Sequence, residues 1–227
     1  MTGILYVIPT PLGGNAADSL PAAPLATVRG LRHYVVESAK SARAFLKSAG
    51  CDPKQVQIVE LTGKSDLRPL LAPLRGGDSI GLLSDAGCPA IADPGAALVE
   101  AAHREEIRVV PLVGPSSIVL ALMASGLEGQ RFAFCGYLPR EAAERSRRIR
   151  ELEQRSRRER ETQIFIETPY RNDVLLAALL EACAPTTRLC VASDLTLQTE
   201  SVATGPIGEW RRRTIGKRPT VFLLLSG

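Results

Sequence analysis

Short apolar runs recur along the chain, each bounded by glycine, proline or charged residues. Ile4–Ile8, Tyr34–Val36, Val56–Leu61, 79–83 and 107–112 make up the first half of the series. Runs of this length between turn residues predict buried strands. Between them the apolar positions switch to helical spacing. Leu20, Leu25, Val28 and Leu31 form the inner face of a helix predicted over 19–31, with Asp18 as its cap. Further helices are predicted over Ala39–Ala49, stopped by Gly50, over Asp66–Arg75, stopped by Gly76-Gly77, and over 95–105. The second half repeats this logic. A helix over 116–125 stops at Gly126, and strand Phe132–Tyr137 leads into a long charged helix over 141–160. Strand Ile164–Glu167, helix 172–183 and strand Leu189–Ala192 follow. Val202–Thr204 and Thr220–Leu225 read as further, antiparallel strands, with Trp210 in a short helix between them.

Strands alternating with helices imply α/β sheets joined by short connections. About ten strands is many for one sheet in 227 residues. The expectation is therefore two α/β domains, residues 1–113 and 114–227, with a ligand cleft between them.

Composition narrows the class. Apolar residues make up 45% of the chain beside 23% charged residues, which suits a water-soluble globular core. No apolar run reaches the length of a membrane span, so no membrane association is expected. The N-terminal segment lacks a basic region before its first apolar run, which argues against a signal peptide, and the expected location is cytoplasmic. The five cysteines are odd in number and contain no Cys-x-x-Cys pair, which excludes a disulfide framework and a zinc site as first readings. Cys135, Cys183 and Cys190 lie in apolar runs and read as small buried hydrophobes. His33 and His103 are the only histidines, so no metal is expected.

Two loops draw attention because each follows a predicted buried strand and precedes a predicted helix. They are Ser84–Gly95, sequence SDAGCPAIADPG, and Gly114-Pro115-Ser116-Ser117. Ligands of open α/β sheets sit beyond the carboxyl ends of such strands. Gly87, Gly95 and Gly114 allow close backbone approach, and Pro89, Pro94 and Pro115 stiffen it. Ser116 and Ser117 open a helix whose free N–H groups suit an anion. Asp85 and Asp93 read equally well as ligand acceptors or as turn and cap residues. No phosphate-binding signature is present: there is no GxxxxGK[ST], and the PTPLGG after the first strand lacks dinucleotide spacing.

The segment 140–160 carries nine arginines, from Arg140 to Arg160, interleaved with glutamates. Such a helix most often presents a solvated, ion-paired face. Its functional reading is a phosphate-backbone contact. Glu167-Thr168-Pro169-Tyr170-Arg171 and Asp194-Leu195-Thr196 each follow a predicted strand. Glu167 reads as a general base or as a helix-entry residue.

PTPLGG, SDAGCPAIADPG, VGPSS, FCGYLPR, ETPYR and SDLT together, in this order, resemble the tetrapyrrole (corrin/porphyrin) methylase superfamily, and within it the ribosomal RNA small subunit methyltransferase I branch. The resemblance covers about 5–225. It implies S-adenosyl-L-methionine as cofactor, two α/β domains and a homodimer. It assigns the cofactor to Pro9, Thr10, Pro11, Leu12 and Gly13; to Ser84, Asp85, Ala86 and Gly87; to Asp93, Pro94 and Gly95; to Val113, Gly114, Pro115, Ser116 and Ser117; and to Leu138. The reaction it implies is in-line methyl transfer to a ribose 2′-hydroxyl of ribosomal RNA, with ribosomal RNA or the small ribosomal subunit as partner.

The acceptor side departs from the branch. Its AEDTR is here Val36-Glu37-Ser38-Ala39-Lys40, its ESPHR is Glu167–Arg171, its ELTK is Asp194–Leu197, and Leu61–Asp66 has no histidine. Glu37, Lys40, Glu167 and Arg171 are the catalytic candidates on that side. Two other readings remain open at this point: a small tetrapyrrole-like acceptor, or a non-catalytic protein that binds S-adenosyl-L-methionine.

Overall fold

The computed structural model describes residues 2–63, 65–210 and 213–227; Met1, Lys64, Arg211 and Arg212 lie outside the described residues. The chain divides into two compact units, Met1–Ser116 and Ser117–Gly227.

The first unit is built on β1 (Ile4–Ile8), β2 (His33–Val36), β3 (Gln57–Glu60), β4 (Ile80–Leu83) and β5 (Arg108–Pro111). They form one sheet in the order β3-β2-β4-β1-β5, and every pair is parallel. A parallel sheet is covered on both faces, which is why β4 is apolar and buried throughout. Alternation along the strands sorts the core into two layers. Ile8, Tyr34, Val36 and Leu83 pack with α1 (Ala16–Ser19), α2 (Ala22–Gly30) and α3 (Ala39–Ser48). Leu5, Val35, Ile80 and Leu82 pack with α4 (Leu67–Arg75) and α5 (Ala96–Arg104). The chain therefore leaves β1 over one face and its neighbour β4 over the other. Such a divergence between adjacent strands opens a crevice at their carboxyl ends.

The second unit contains α6 (Ser117–Ser125), β6 (Phe132–Tyr137), α7 (Ala142–Glu159), β7 (Thr162–Glu167), α8 (Asn172–Ala182), β8 (Arg188–Ser193), β9 (Ser201–Pro206) and β10 (Thr220–Leu225). Its sheet has the order β6-β7-β10-β8-β9. Among the described strands only β6 and β7 run parallel; the other neighbours are antiparallel. Phe165 and Phe222 stack at 5.9 Å across β7 and β10, within a core shared with α7 and α8. The core-facing positions of α7 are Arg145, Ile149, Leu152 and Ser156, one narrow stripe at helical spacing. The remaining face is charged, with ion pairs such as Arg148–Glu151 at 3.2 Å and Arg155–Glu161 at 2.9 Å. Among the described residues no helix is long and apolar enough to cross a membrane.

The structure departs from several expectations. The helix expected over 19–31 is two helices, because Pro21 disfavours helical backbone at Leu20 and cannot donate an N–H. Asp18 lies inside α1, whose cap position is Asn15. The exit after Glu167 includes a 3-10 turn, Pro169–Arg171. Trp210 follows the 3-10 turn Ile207–Glu209 and belongs to the core. Cys183 and Cys190 are buried as expected, whereas Cys135 is half-buried. Residues 114–116 group with the first compact unit.

Candidate functional site

The exits of β1, β4 and β5 are clasped by backbone. Thr10 N–H donates to Gly87 O at 2.9 Å, and Gly87 N–H returns the bond to Thr10 O at 3.0 Å. The Thr10 hydroxyl donates to Ser84 O at 3.2 Å. Gly87 takes this position with φ of 75°. The exit of β5 closes onto the same place. A Cβ on Gly114 would lie 2.5 Å from Pro9 Cβ and 2.8 Å from Leu20 Cδ2, so only glycine allows this approach. The Cys88 thiol donates to Pro115 O at 3.4 Å and ties the two loops together. Burial pushes that thiol's pKa up. Within Ser84–Gly95 the backbone is also strained: Ala90 and Ala92 both hold positive φ, 67° and 66°. Left-handed backbone costs a non-glycine residue about 1 kcal/mol. Strain of this kind concentrates at ligand sites.

Three carboxylates face this clasp. Glu37 Oε2 accepts Asp85 N–H at 3.0 Å, and Glu37 N–H donates to Leu83 O at 3.1 Å. The third is Asp93. Burial first and the charge of Glu37 second push its carboxyl up to about 6; a hydrogen bond from Ser84 opposes them, and the charge of Asp85 adds least. An acid held in this way favours a cationic neighbour, which would relieve the mutual repulsion. Lys40 is exposed on the first turn of α3. Among the described residues no group of three or more His, Cys, Asp or Glu side chains is placed to hold a metal ion.

In the second unit, the exits of the parallel strands β6 and β7 come together. Glu167 is buried at the end of β7; its Oε1 accepts Thr168 N–H at 2.8 Å and the Thr168 hydroxyl at 3.3 Å. Its Oε2 lies 3.4 Å from Arg171 Nη2. Arg171 Nη2 also donates to Arg140 O at 3.5 Å, and Arg145 Nη1 donates to the same carbonyl at 2.8 Å. Glu167 and Arg171 are thus brought together as an ion pair that fixes the 3-10 turn. Asp194, by contrast, is committed to Arg218 at 2.7 Å.

Of the other residues singled out in the sequence, Pro9–Gly13, Ser84–Gly87, Asp93–Gly95 and Val113–Ser116 all lie at the clasp or its rim. Ser117 opens α6, and the Leu138 side chain is in the core of the second unit. Sequence reasoning passed over Cys88, whose thiol joins the two loops, and Asn172. Asn172 is fully buried and donates from Nδ2 to Gly216 O at 3.0 Å and Arg218 O at 2.7 Å. An asparagine directly after a strand exit was its only signal.

A model of the tetrapyrrole (corrin/porphyrin) methylases matches residues 27–210. The chain belongs to that family. It is therefore a methyltransferase. A ribosomal RNA small subunit methyltransferase I from Mesorhizobium japonicum is 34% identical over 89% of this chain and 67% of its own length. One from Escherichia coli O157:H7 is 31% identical over 98% of this chain and 77% of its own length. Two solved structures share the fold at low identity. The methyltransferase CobJ has a TM-score of 0.66 at 17% identity, covering 100% of this chain and 95% of CobJ. The uroporphyrin-III-C-methyltransferase from Thermus thermophilus has a TM-score of 0.60 at 18% identity, covering 99% of this chain and 93% of that one.

Proposed function

We propose that this methyltransferase uses S-adenosylmethionine to methylate ribosomal RNA at a ribose 2′-hydroxyl. The observation that carries the donor assignment is the clasp of Thr10, Gly87 and Gly114 with Asp93 beside it. Such a cradle presents backbone oxygens and carboxylates, the groups that suit a positively charged donor. Names of the curated relatives support ribosomal RNA as acceptor.

Bound at such a site, S-adenosylmethionine supplies an electrophilic methyl group carried on a sulfonium. Pro9–Gly13, Ser84–Gly87, Asp93–Gly95 and Val113–Ser116 are the residues proposed to hold it. Asp85 and Asp93 attract its positive charge, and the stiff loops fix its orientation before the acceptor arrives. Preorganisation of this kind is where transfer chemistry gains most of its rate. Glu37 and Lys40 in the first unit, and Glu167 and Arg171 in the second, are each proposed as acceptor-side residues. Glu37 engages Asp85 through one carboxylate oxygen, and among the described residues the other has no hydrogen bond. That oxygen is available to hold the proton a ribose hydroxyl must lose. Glu167 acts through the turn it fixes, holding Arg171 toward the exit of β6.

Methyl-labelled donor and ribosomal RNA from cells lacking this protein test the reading. Label should enter the RNA, and Glu37→Ala should abolish the transfer. Tight donor binding without incorporation into RNA overturns it.

A further inference from the structure

Tyr137 and Tyr170 are large aromatic residues left 57% and 78% exposed. They stand at the carboxyl ends of β6 and β7, the one parallel pair among the described strands of the second sheet. Both are presented by devices that fix the backbone. The pairing of β6 with β7 slips between Phe134 and Tyr137, and Gly136 takes a φ of 65° there. A bulge of this kind re-aims the next side chain. Tyr170 sits in the centre of the turn Pro169–Arg171. Pro169 and the Glu167–Arg171 pair hold that turn, and Arg171 N–H closes it onto Thr168 O at 2.9 Å.

A cation is held over the second ring in the same manner. Lys217 Nζ lies 5.1 Å from the centroid of Tyr170. Its loop is stapled to the start of α8: Asp173 Oδ1 accepts Ile215 N–H at 2.7 Å, and Asn172 binds the carbonyls of Gly216 and Arg218. Arg140 is exposed nearby, its carbonyl hydrogen-bonded by Arg171. Among the described residues neither Lys217 nor Arg140 has a carboxylate ion-pair partner. Rigid exposed rings flanked by cations not neutralised by carboxylates are how proteins hold single-stranded nucleic acid. A base stacks on the ring, and the backbone phosphate meets the cation. Ordering these side chains in advance lowers the entropy lost on binding.

We propose that Tyr137 and Tyr170 stack bases of single-stranded RNA, with Lys217 and Arg140 contacting the adjoining phosphates. This rests on the RNA reading above and names the part of the acceptor strand that the second unit grips. The platform is a binding surface; neither tyrosine is assigned to the chemistry.

A fluorescein-labelled 12-nucleotide RNA without internal pairing, titrated with the full chain at fixed salt, tests it. Tyr170→Ala should weaken binding by roughly fivefold to a hundredfold, the range of one lost stacking contact. Tyr170→Phe should bind within about twofold of the parent, because stacking needs the ring and not the hydroxyl. Lys217→Ala should flatten the salt dependence by about 0.7 in the log–log slope. Donor affinity, measured by calorimetry, should be unchanged in all three. Parent-like RNA binding by both Tyr170→Ala and Tyr137→Ala overturns the platform. If the parent still methylates ribosomal RNA in that case, the proposed function stands without it. A parent that neither binds nor methylates RNA overturns both.

Discussion

The Glu37 carboxylate holds the backbone N–H of Asp85 at 3.0 Å across 48 residues of sequence. The contact locks the exit of β2 to the exit of β4 and places a negative charge where it raises the pKa of Asp93. Glu37→Gln keeps an acceptor for Asp85 and removes the charge. The Asp93 carboxyl titration, followed by NMR, should then move down from about 6. Glu37→Ala loses the hydrogen bond as well and should cost about 1 kcal/mol in thermal stability.

Asp93 makes stability depend on pH with a defined sign. Its carboxyl is raised from 3.8 to about 6 by burial first and neighbouring charge second. The neutral form therefore favours the folded state. That contribution is complete below about pH 3.8 and is lost as the pH rises through about 6. Asp93→Asn should melt at the same temperature as the parent near pH 4 and above it at pH 7.5. A positively charged donor reverses the preference, so donor affinity should rise between pH 5 and 7 in the parent. In Asp93→Asn it should be weaker and nearly flat, which calorimetry at several pH values would measure.

Gly114→Ala puts a methyl group 2.5 Å from Pro9 Cβ. Pro9 belongs to a rigid backbone stretch and cannot yield as a flexible side chain would. Overpacking of this kind costs about 1–3 kcal/mol. The loop 113–116 must also lift from β1, so donor affinity should fall further than the melting temperature suggests. Gly129→Ala, where a Cβ meets nothing within 4 Å, is the matched control.

The buried amide of Asn172 donates to two carbonyls and lies 3.3 Å from the Thr220 hydroxyl oxygen. Removing it in Asn172→Ala should cost about 1–3 kcal/mol, since the carbonyls lose a partner. Asn172→Asp should be worse at neutral pH, because it sets a carboxylate against acceptors. Its stability should recover as the pH falls and the introduced acid takes up a proton. Urea denaturation of both variants at two pH values separates these cases.

Much of this was legible in the sequence, for physical reasons that differ by feature. Thr220–Leu225 falls where its apolar run falls, because burial in the middle of a sheet leaves no choice of residue type; Phe132–Tyr137 does so as an edge strand, half-buried along its middle. The loops proposed to hold the donor were marked by glycine and proline, and the close approach of Gly114 to Pro9 requires the glycine. The periodicity through Leu20 and Leu25 ran across Pro21 and concealed the helix break. Strand order was not legible, since it depends on which face each crossover covers. Nor was the burial of Arg145, which occupies a core-facing position of α7 in the middle of a charge run. Long-range contacts such as Glu37 to Asp85 leave no local pattern at all.

The central claim is methylation of a ribose. It is tested most directly by alkaline hydrolysis of ribosomal RNA labelled by this protein from methyl-tritiated S-adenosylmethionine. Alkali cleaves RNA through the 2′-hydroxyl, so a methyl group on that oxygen protects the adjoining bond. The account predicts that the label is recovered in an alkali-resistant dinucleotide and is lost in the Glu37→Ala variant. Label recovered in mononucleotides would place the methyl group on a base and contradict it.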